Sequence, residues 1–294
     1  MKNIFKGIKG IRALTNEPLK KHTSFRIGGR ARYFIDVYKQ QGLLALLAVI
    51  KKRRLKYFIL GAGTNVLFSD SGFNGVVIRL KGDFKIIENK GEIFSVGAGV
   101  LLKDLLKKAA ELGYGGAEFL AGIPGTLGGA IKGNAGAFGG SISEIVKGVF
   151  ILDRNLKVRY LSKEELDFGY RHSRIDDKTV ILSAELKFSK KKKDKIKSRM
   201  EAYLKMRWEK QPDGYSAGSF FKNPLPMSAG ALIDECGLKG TRMGDAVVSE
   251  KHANFILNLG RAKAADVIRL VNFIKKTVKK KKGVELQPEV RIVC

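Results

Sequence analysis

The sequence predicts an α+β fold in two parts, on three observations. Short strands recur at hairpin spacing (Val76–Leu80, Phe84–Glu88, Ile93–Val96). Amphipathic helical segments stand among them, such as Leu101–Leu112 and Ala262–Lys282. A charge run, SKKKKDK at Ser189–Lys195, marks the best boundary and divides the chain into 1–190 and 191–294.

In order, residues 1–20 read as a short helix and a turn. His22–Ala31, HTSFRIGGRA, leads small polar groups into paired glycines. Arg32–Val37 is a short strand of period two. Gln41–Leu55 has apolar residues on one helical face and a basic end, which suits the negative pole of a helix dipole. Tyr57–Leu60 reads as a buried strand. It delivers Gly61-Ala62-Gly63-Thr64-Asn65. This is not a dinucleotide fingerprint, because position 66 is Val and a turn and strand follow rather than a helix. Bare N–H groups beside Thr64 and Asn65 suit a pyrophosphate. A hairpin turn with a left-handed Asn is the alternative. Leu101–Leu112 is a helix that Gly113 caps.

Gly122–Gly140, GIPGTLGGAIKGNAGAFGG, holds eight glycines in nineteen residues, too many for a good helix or strand. Ile123, Leu127, Ile131 and Phe138 anchor it, so it reads as an ordered loop. Two readings stay open: main-chain N–H groups wrapping a phosphate-bearing ligand, or a tight crossing of packed segments. Strands Val149–Asp153 and Val158–Leu161 follow around a turn at Arg154-Asn155. Ser162-Lys163-Glu164-Glu165 has the form of a capping box. The aromatic and cationic cluster Phe168–Arg174 precedes strand Val180–Phe188. In the simplest reading an Arg of this cluster pairs with Glu164 or Asp167.

In the second part Ile196–Trp208 is helical by period. Pro, Gly and Ser break Gln211–Pro226. If Ser219–Asn223 is extended, Ser219, Phe221 and Asn223 share one face, either a polar ligand wall or a solvated edge. Ser228–Cys236 is a short helix ended by Gly237, and Val247–Val248 and Phe255–Leu259 are strands. In Leu286–Val293 the pattern places Glu289 and Arg291 on one face of a half-buried strand, as a salt bridge or as a catalytic carboxylate with its cation.

Composition narrows the functions. A 44% hydrophobic content is enough for a core in a chain of 294 residues. The longest apolar run, Leu43–Ile50, is far below the ~20 residues a membrane helix needs. The basic N-terminal segment lacks an apolar core and cleavage site, so no leader or anchor is expected. Cys236 and Cys294 make no disulfide framework and sit in no metal-ligand spacing, so no metal is expected, and a reducing cytoplasm fits. The net charge of +28 invites a nucleic-acid reading. The cations are scattered, however, and no helix-turn-helix, finger or aromatic RNA-binding signature accompanies them. Neither a specific nucleic acid nor a membrane is expected as partner.

Six motifs in this order carry a resemblance: TSFRIGG (Thr23–Gly29), GAGTN with VLFSDSGFNGVVI (Gly61–Ile78), GIPGTLGGAIKGNAGAFG (Gly122–Gly139), YRHS (Tyr170–Ser173), SAGSFFKNP (Ser216–Pro224) and QPEVRI (Gln287–Ile292). From about Thr23 to Ile292 the chain resembles the UDP-N-acetylenolpyruvoylglucosamine reductases, also called UDP-N-acetylmuramate dehydrogenases. The resemblance implies an FAD-binding domain of the vanillyl-alcohol-oxidase (PCMH) type in 1–190, with its core at about 23–188. It implies an α+β domain for the UDP-sugar in 191–294. The implied enzyme is a cytoplasmic, FAD-containing, NADPH-dependent oxidoreductase of peptidoglycan precursor synthesis, serving cell-wall biogenesis, cell shape and division. By the same resemblance Ser219 is the proton donor, Glu289 the acid acting on the enol-like intermediate and Arg171 the cation beside it. FAD contacts fall on Gly61, Ala62, Gly63, Thr64, Asn65, Gly122, Ile123, Pro124, Gly125, Thr126, Gly129, Asn134 and Gly136. The substrate's diphosphate and carboxylate fall to Arg207, Lys210, Lys222, Asn223 and Arg291.

The chain departs from the pattern at Arg30, where the family often has Pro, at Phe138, where it often has Tyr, and at Lys132-Gly133, where apolar residues are usual. The short span from Ser173 to Ser216 has no room for the Tyr-bearing insertion of one subtype, so the chain resembles the shorter subtype. The rival of the same class is a flavin oxidase of this fold with another substrate. The rival of another class is a basic nucleotide- or nucleic-acid-binding module.

Overall fold

The structure, a computed structural model, describes residues 4–294. The chain folds as two compact units. The first is Met1–Thr15, Tyr33–Ala62 and Gly75–Arg207; the second is Asn16–Arg32, Gly63–Asn74 and Trp208–Cys294. The first unit thus runs past the charge run at 189–195, and the second takes in two N-terminal segments.

The first unit is built on two sheets. One has the order Ile11–Pro18, Arg30–Val37, Phe73–Leu80, Tyr57–Ile59, and its last pair is parallel with Phe58 opposite Val77. Ile11–Pro18 is a strand where the sequence reading expects a helix. Ile11 and Ala13 pack on the core while Arg12 between them is exposed, a period of two that outweighs a marginal short helix. The other sheet has the order Val158–Ser162, Val146–Leu152, Val180–Lys187, Ile93–Gly97, Ile87–Lys90, with every neighbouring pair antiparallel. The expected strand over Phe84–Glu88 is instead a 3-10 turn, Gly82–Lys85, followed by strand Ile87–Lys90. Helix α1 (Gln40–Lys52) buries Leu43, Leu46, Leu47 and Ile50, and α2 (Leu102–Glu111) buries Leu102, Leu105, Leu106 and Ala109, so each turns one stripe to the core. Asp36, 4% exposed, is held by a fork from Arg79: Nε donates to Oδ1 at 2.6 Å and Nη2 to Oδ2 at 3.0 Å.

The glycine-dense segment contains a helix, α3 (Leu127–Lys132), which its composition argued against. Thr126 caps it by accepting from Gly129 N, and Leu127 and Ile131, four apart, are fully buried. Packing of that face overrides the poor propensity of glycine. Ser162 and Glu165 exchange the expected capping-box bonds, but the residues after them form a turn. α4 (Lys193–Lys210) buries only Ile196.

In the second unit a three-stranded sheet, Arg242–Met243, Ala246–Val248, Ile256–Asn258, accompanies α5 (Ala229–Glu235) and α6 (Ala264–Lys282). α6 buries Val267, Leu270, Val271, Ile274 and Val278 against a core shared with Phe25, Leu67, Phe220 and Phe221. The N-terminus of α6 is capped from far away in sequence. Asp70 Oδ1 accepts from Ala264 N at 2.8 Å and Oδ2 from Ala265 N at 3.0 Å. A β-carbon on Gly29 would run into the Asp70 carbonyl, which accounts for the bare backbone of TSFRIGG at that point. Strand Arg291–Val293 pairs in parallel with Val66–Phe68. The expected in-and-out alternation there is incomplete, since Val290 is buried but Ile292 is exposed.

Candidate active site

In the first unit the two glycine segments touch. Gly61 follows strand Tyr57–Ile59, and a β-carbon on it would lie 2.6 Å from Thr126 Oγ1. The approach to α3 is stitched to the loop before α2. Leu102 N donates to Gly125 O at 3.0 Å, Leu127 N to Val100 O at 2.8 Å and Gly128 N to Ala98 O at 2.9 Å. Gly122, Ile123 and Pro124 form the turn into this platform, with Ile123 N donating to Leu120 O.

Two glycines here have no internal reason to be glycine. Gly129 lies inside α3, and a β-carbon on it would meet nothing nearer than Thr126 Oγ1 at 3.6 Å. Gly133 caps the same helix with an ordinary negative φ and would meet only Gly129 O, also at 3.6 Å. Bare backbone with open space before it is what a ligand lying on the main chain requires. A flavin nucleotide's phosphates fit this platform.

The YRHS segment docks on the same platform as a tight turn, with Gly169 and His172 exchanging both backbone hydrogen bonds. Asn134 Nδ2 donates to Gly169 O at 2.9 Å and its Oδ1 accepts from Ser143 N at 3.3 Å. Ser173 Oγ donates to Lys132 O at 2.9 Å. Asn134, a candidate cofactor ligand, therefore also joins the two loops. Arg171 sits at the turn with a left-handed φ of 54° and donates from Nη2 to Gly136 O at 3.2 Å, its Cζ lying 5.3 Å from the Tyr170 ring centre. Strain of this kind persists only where the surroundings fix it. A second cation of the unit, Arg207, donates from Nε to Ala121 O at 3.3 Å and lies 5.6 Å from the Phe138 ring, which stacks on Tyr203 at 4.8 Å. Its Nη2 is buried with no hydrogen-bond partner among the described residues, and burial pulls its pKa down. The group stays charged, so a buried guanidinium nitrogen awaits an acceptor.

The second unit assembles the other candidates on two adjoining segments. Glu289 N donates to Phe220 O at 2.8 Å and Lys222 N to Gln287 O at 2.9 Å, with Phe221 opposite Pro288. The register sets Glu289 opposite Phe220, next to Ser219. Phe220 and Phe221 are both buried, so the polar and apolar faces expected for an extended Ser219–Asn223 do not separate, and the segment makes isolated bridges at Ser219 and Phe221 rather than a strand. Asn65 joins the group, accepting from Arg291 N and donating from Nδ2 to Glu289 O, both at 3.2 Å. Gly63, at φ 70°, presses on the His22 carbonyl, and its own carbonyl accepts from Ser24 N. Asn223 Oδ1 accepts from Ala229 N at 3.1 Å, next to the cap of α5. Lys222 is half-buried and Lys210 exposed. Sequence reasoning passed over three polar residues that hold this unit's backbone: Asp70, Asn254 and Asn258. The visible signal was two amides in ANFILN, Asn254 and Asn258, among otherwise apolar residues; both are buried, Asn254 in the turn before strand Ile256–Asn258 and Asn258 in the strand. Among the described residues no cluster of three His, Cys, Asp or Glu could hold a metal, and no helix is long and apolar enough to cross a membrane.

Residues 210–293 match the family model described as UDP-N-acetylenolpyruvoylglucosamine reductase, C-terminal domain, and residues 31–161 match the FAD binding domain model. Over 280 residues the chain is 43% identical to the UDP-N-acetylenolpyruvoylglucosamine reductase of Caldanaerobacter subterraneus subsp. tengcongensis, covering 95% of this chain and 92% of the relative. The chain belongs to the UDP-N-acetylenolpyruvoylglucosamine reductase family. The reductase of Clostridium novyi is 42% identical over 94% of this chain and 90% of its own. The crystal structure of the enzyme from Thermus caldophilus superposes with a TM-score of 0.84 at 37% identity, covering 97% of this chain and 99% of that one. Physcomitrella patens BBE-like 1 is similar in fold alone, at TM-score 0.50 and 18% identity over 62% of this chain and 42% of its own. The protein is an α+β oxidoreductase with an FAD-binding domain of the vanillyl-alcohol-oxidase type and the family's C-terminal domain.

Proposed function

We propose that this chain reduces the enolpyruvyl group of UDP-N-acetylenolpyruvoylglucosamine to give UDP-N-acetylmuramate, with FAD as carrier and NADPH as reductant, in the cytoplasm. The observation that carries this reading is the 43% identity over 95% of the chain to a relative named for that substrate. The match over 210–293 supports it, because that span includes Ser219, Lys222, Asn223, Glu289 and Arg291.

Gly61, Ala62, Gly63, Thr64 and Asn65 with Gly122–Thr126, Gly129, Asn134 and Gly136 are the residues that would hold FAD. Bound FAD supplies a carrier that takes two electrons from the nicotinamide and returns them as hydride. The protein's own part concerns the substrate. The methylene carbon gains hydride and the carbon bearing the carboxylate gains a proton, so the C=C bond becomes a single bond with two new C–H bonds. Ser219 Oγ–H gives that proton and regains one from water. Negative charge builds towards the substrate carboxylate during the addition, and the Arg171 guanidinium stabilises it. Glu289 acts beside the same carbon as the acid that polarises the enol-like intermediate. Arg207, Lys210, Lys222, Asn223 and Arg291 grip the diphosphate and carboxylate. The unmatched Arg207 Nη2 supports that assignment, since a buried donor calls for an acceptor.

The test is spectroscopic. The purified protein is yellow, bleaches with NADPH, and regains colour when the enolpyruvyl sugar is added. In Ser219→Ala the bleaching survives while recolouring slows by ~100-fold or more. Equal loss in both phases removes Ser219 from the donor role, and a protein unable to take up flavin ends the reading.

A further inference from the structure

We infer that Asn254 is the positioning residue for Ser219; the inference rests on the donor role proposed for Ser219. The segment Ser219–Phe221 has a chain neighbour on each side. One is Gln287–Glu289, described above. On the other, Ser219 bridges Phe255 and Phe220 N donates to Asn254 O at 2.7 Å. That backbone ladder stops there, because the chain turns: His252 O accepts from Phe255 N at 2.9 Å. The Asn254 side chain carries the ladder one rung further. Its Oδ1 accepts from Phe221 N at 2.9 Å and its Nδ2 donates to Phe221 O at 2.8 Å. One side-chain amide thus stands in for a missing peptide group and satisfies both polar atoms of Phe221.

Asn254 is 3% exposed, so water does not compete for these bonds. Its own N–H donates to His252 Nδ1 at 3.2 Å, which fixes the turn from which it reaches. Phe220 and Phe221 anchor the segment by apolar packing, but that attraction is non-directional and leaves rotation about the strand axis loosely set. The two amide bonds are directional. They lock the peptide two residues after Ser219 from one side, while the Phe220 and Lys222 bonds to Gln287–Glu289 lock it from the other. A donor hydroxyl displaced by ~1 Å loses about 100-fold in rate.

The experiment compares wild type, Asn254→Ala and Asn254→Asp as flavin-loaded proteins, timing flavin bleaching by NADPH and recolouring by the enolpyruvyl sugar separately. Asn254→Ala bleaches within about 2-fold of wild type and recolours ~100-fold more slowly. In Asn254→Asp the buried carboxylate still accepts from Phe221 N but opposes Phe221 O. Burial and that carbonyl both raise its pKa. As pH falls the carboxyl takes a proton, becomes a donor to Phe221 O, and restores the wild-type pattern. The recolouring rate relative to wild type therefore recovers ~10-fold or more between about pH 8 and 5.5, while relative bleaching stays level. A residue that only stabilised the fold would shift both phases together and show no such recovery. Unchanged recolouring in either variant, or equal loss in both phases, overturns the inference; where Asn254→Ala fails to fold, the pH profile of Asn254→Asp decides alone. If the wild type itself bleaches but never recolours with the sugar, the proposed function falls first. If it recolours and Asn254 proves indifferent, only this inference falls.

Discussion

Replacing Gly129 by Ala separates what the fold needs from what the flavin needs. Gly129 is the third residue of α3 and its conformation is helical. A β-carbon there has 3.6 Å to its nearest neighbour, ordinary van der Waals distance. Ala in a helix is better than Gly by ~0.5–1 kcal/mol, and a unit of this size gains about 2–4 °C in Tm per kcal/mol. The flavin-free variant should therefore melt about 1–4 °C higher than wild type. Flavin binding moves the other way. Gly129 N already donates to Thr126 Oγ1, so the added methyl acts by bulk: it fills the space in which a phosphate oxygen ~2.9 Å from a main-chain nitrogen of the approach to α3 would lie, and pushes it off. Loss of one hydrogen bond to a charged group costs ~1.5–3 kcal/mol, or ~10- to 150-fold in Kd. Calorimetric melting of the flavin-free protein and titration of flavin by fluorescence quenching measure both. A variant that melts higher yet binds flavin with unchanged Kd refutes the argument that open glycine backbone is the phosphate platform. A lower Tm refutes the claim that nothing in the fold requires glycine there.

Further outcomes follow from single contacts. Asp36→Ala strands the Arg79 fork and should cost about 3 kcal/mol, at the low end for a broken buried pair because Arg79 keeps some contact with water; urea unfolding reads it. Asp70→Ala uncaps α6 and removes a charge from its positive pole, about 1–2 kcal/mol, and faster amide exchange in the first turn of α6 identifies the cause. Burial, aided by the nearby Lys239, lowers the pKa of His252 from 6.5. Below the unfolded value the unfolded chain binds more protons there, so this contribution to stability is present above about pH 6.5 and is lost as pH falls towards the folded value. Urea midpoints from pH 8 to 5 should show that loss, and His252→Gln should remove that part of the slope.

The candidate site was legible in the sequence where chemistry is local. Glycine density at 122–140 and the strand before Gly61 mark bare backbone, and the structure brings Gly61 to Thr126. Helix ends were legible for the same reason: Gly113 and Gly237 close α2 and α5 with left-handed φ. What failed was non-local. α3 forms in spite of its glycines because Leu127 and Ile131 are buried by partners far away in the chain. Ile11–Pro18 is a strand because a sheet is there to receive it. Asp70 looks like an ordinary loop polar residue until the segment it serves, 194 residues away, is seen beside it. No periodicity encodes such pairs.

The parallel pairing of Arg291–Val293 with Val66–Phe68 has a consequence for biosynthesis. The second unit gathers stretches from near residue 20, near residue 70 and beyond 208, so a ribosome must make almost the whole polypeptide before that unit can close. Translation runs at ~5–20 residues per second. For tens of seconds Leu67 and Phe68 therefore wait, greasy and edge-exposed, for a strand that does not yet exist. Chaperone dependence, and sensitivity to premature stops as late as codon 287, should concentrate in that interval.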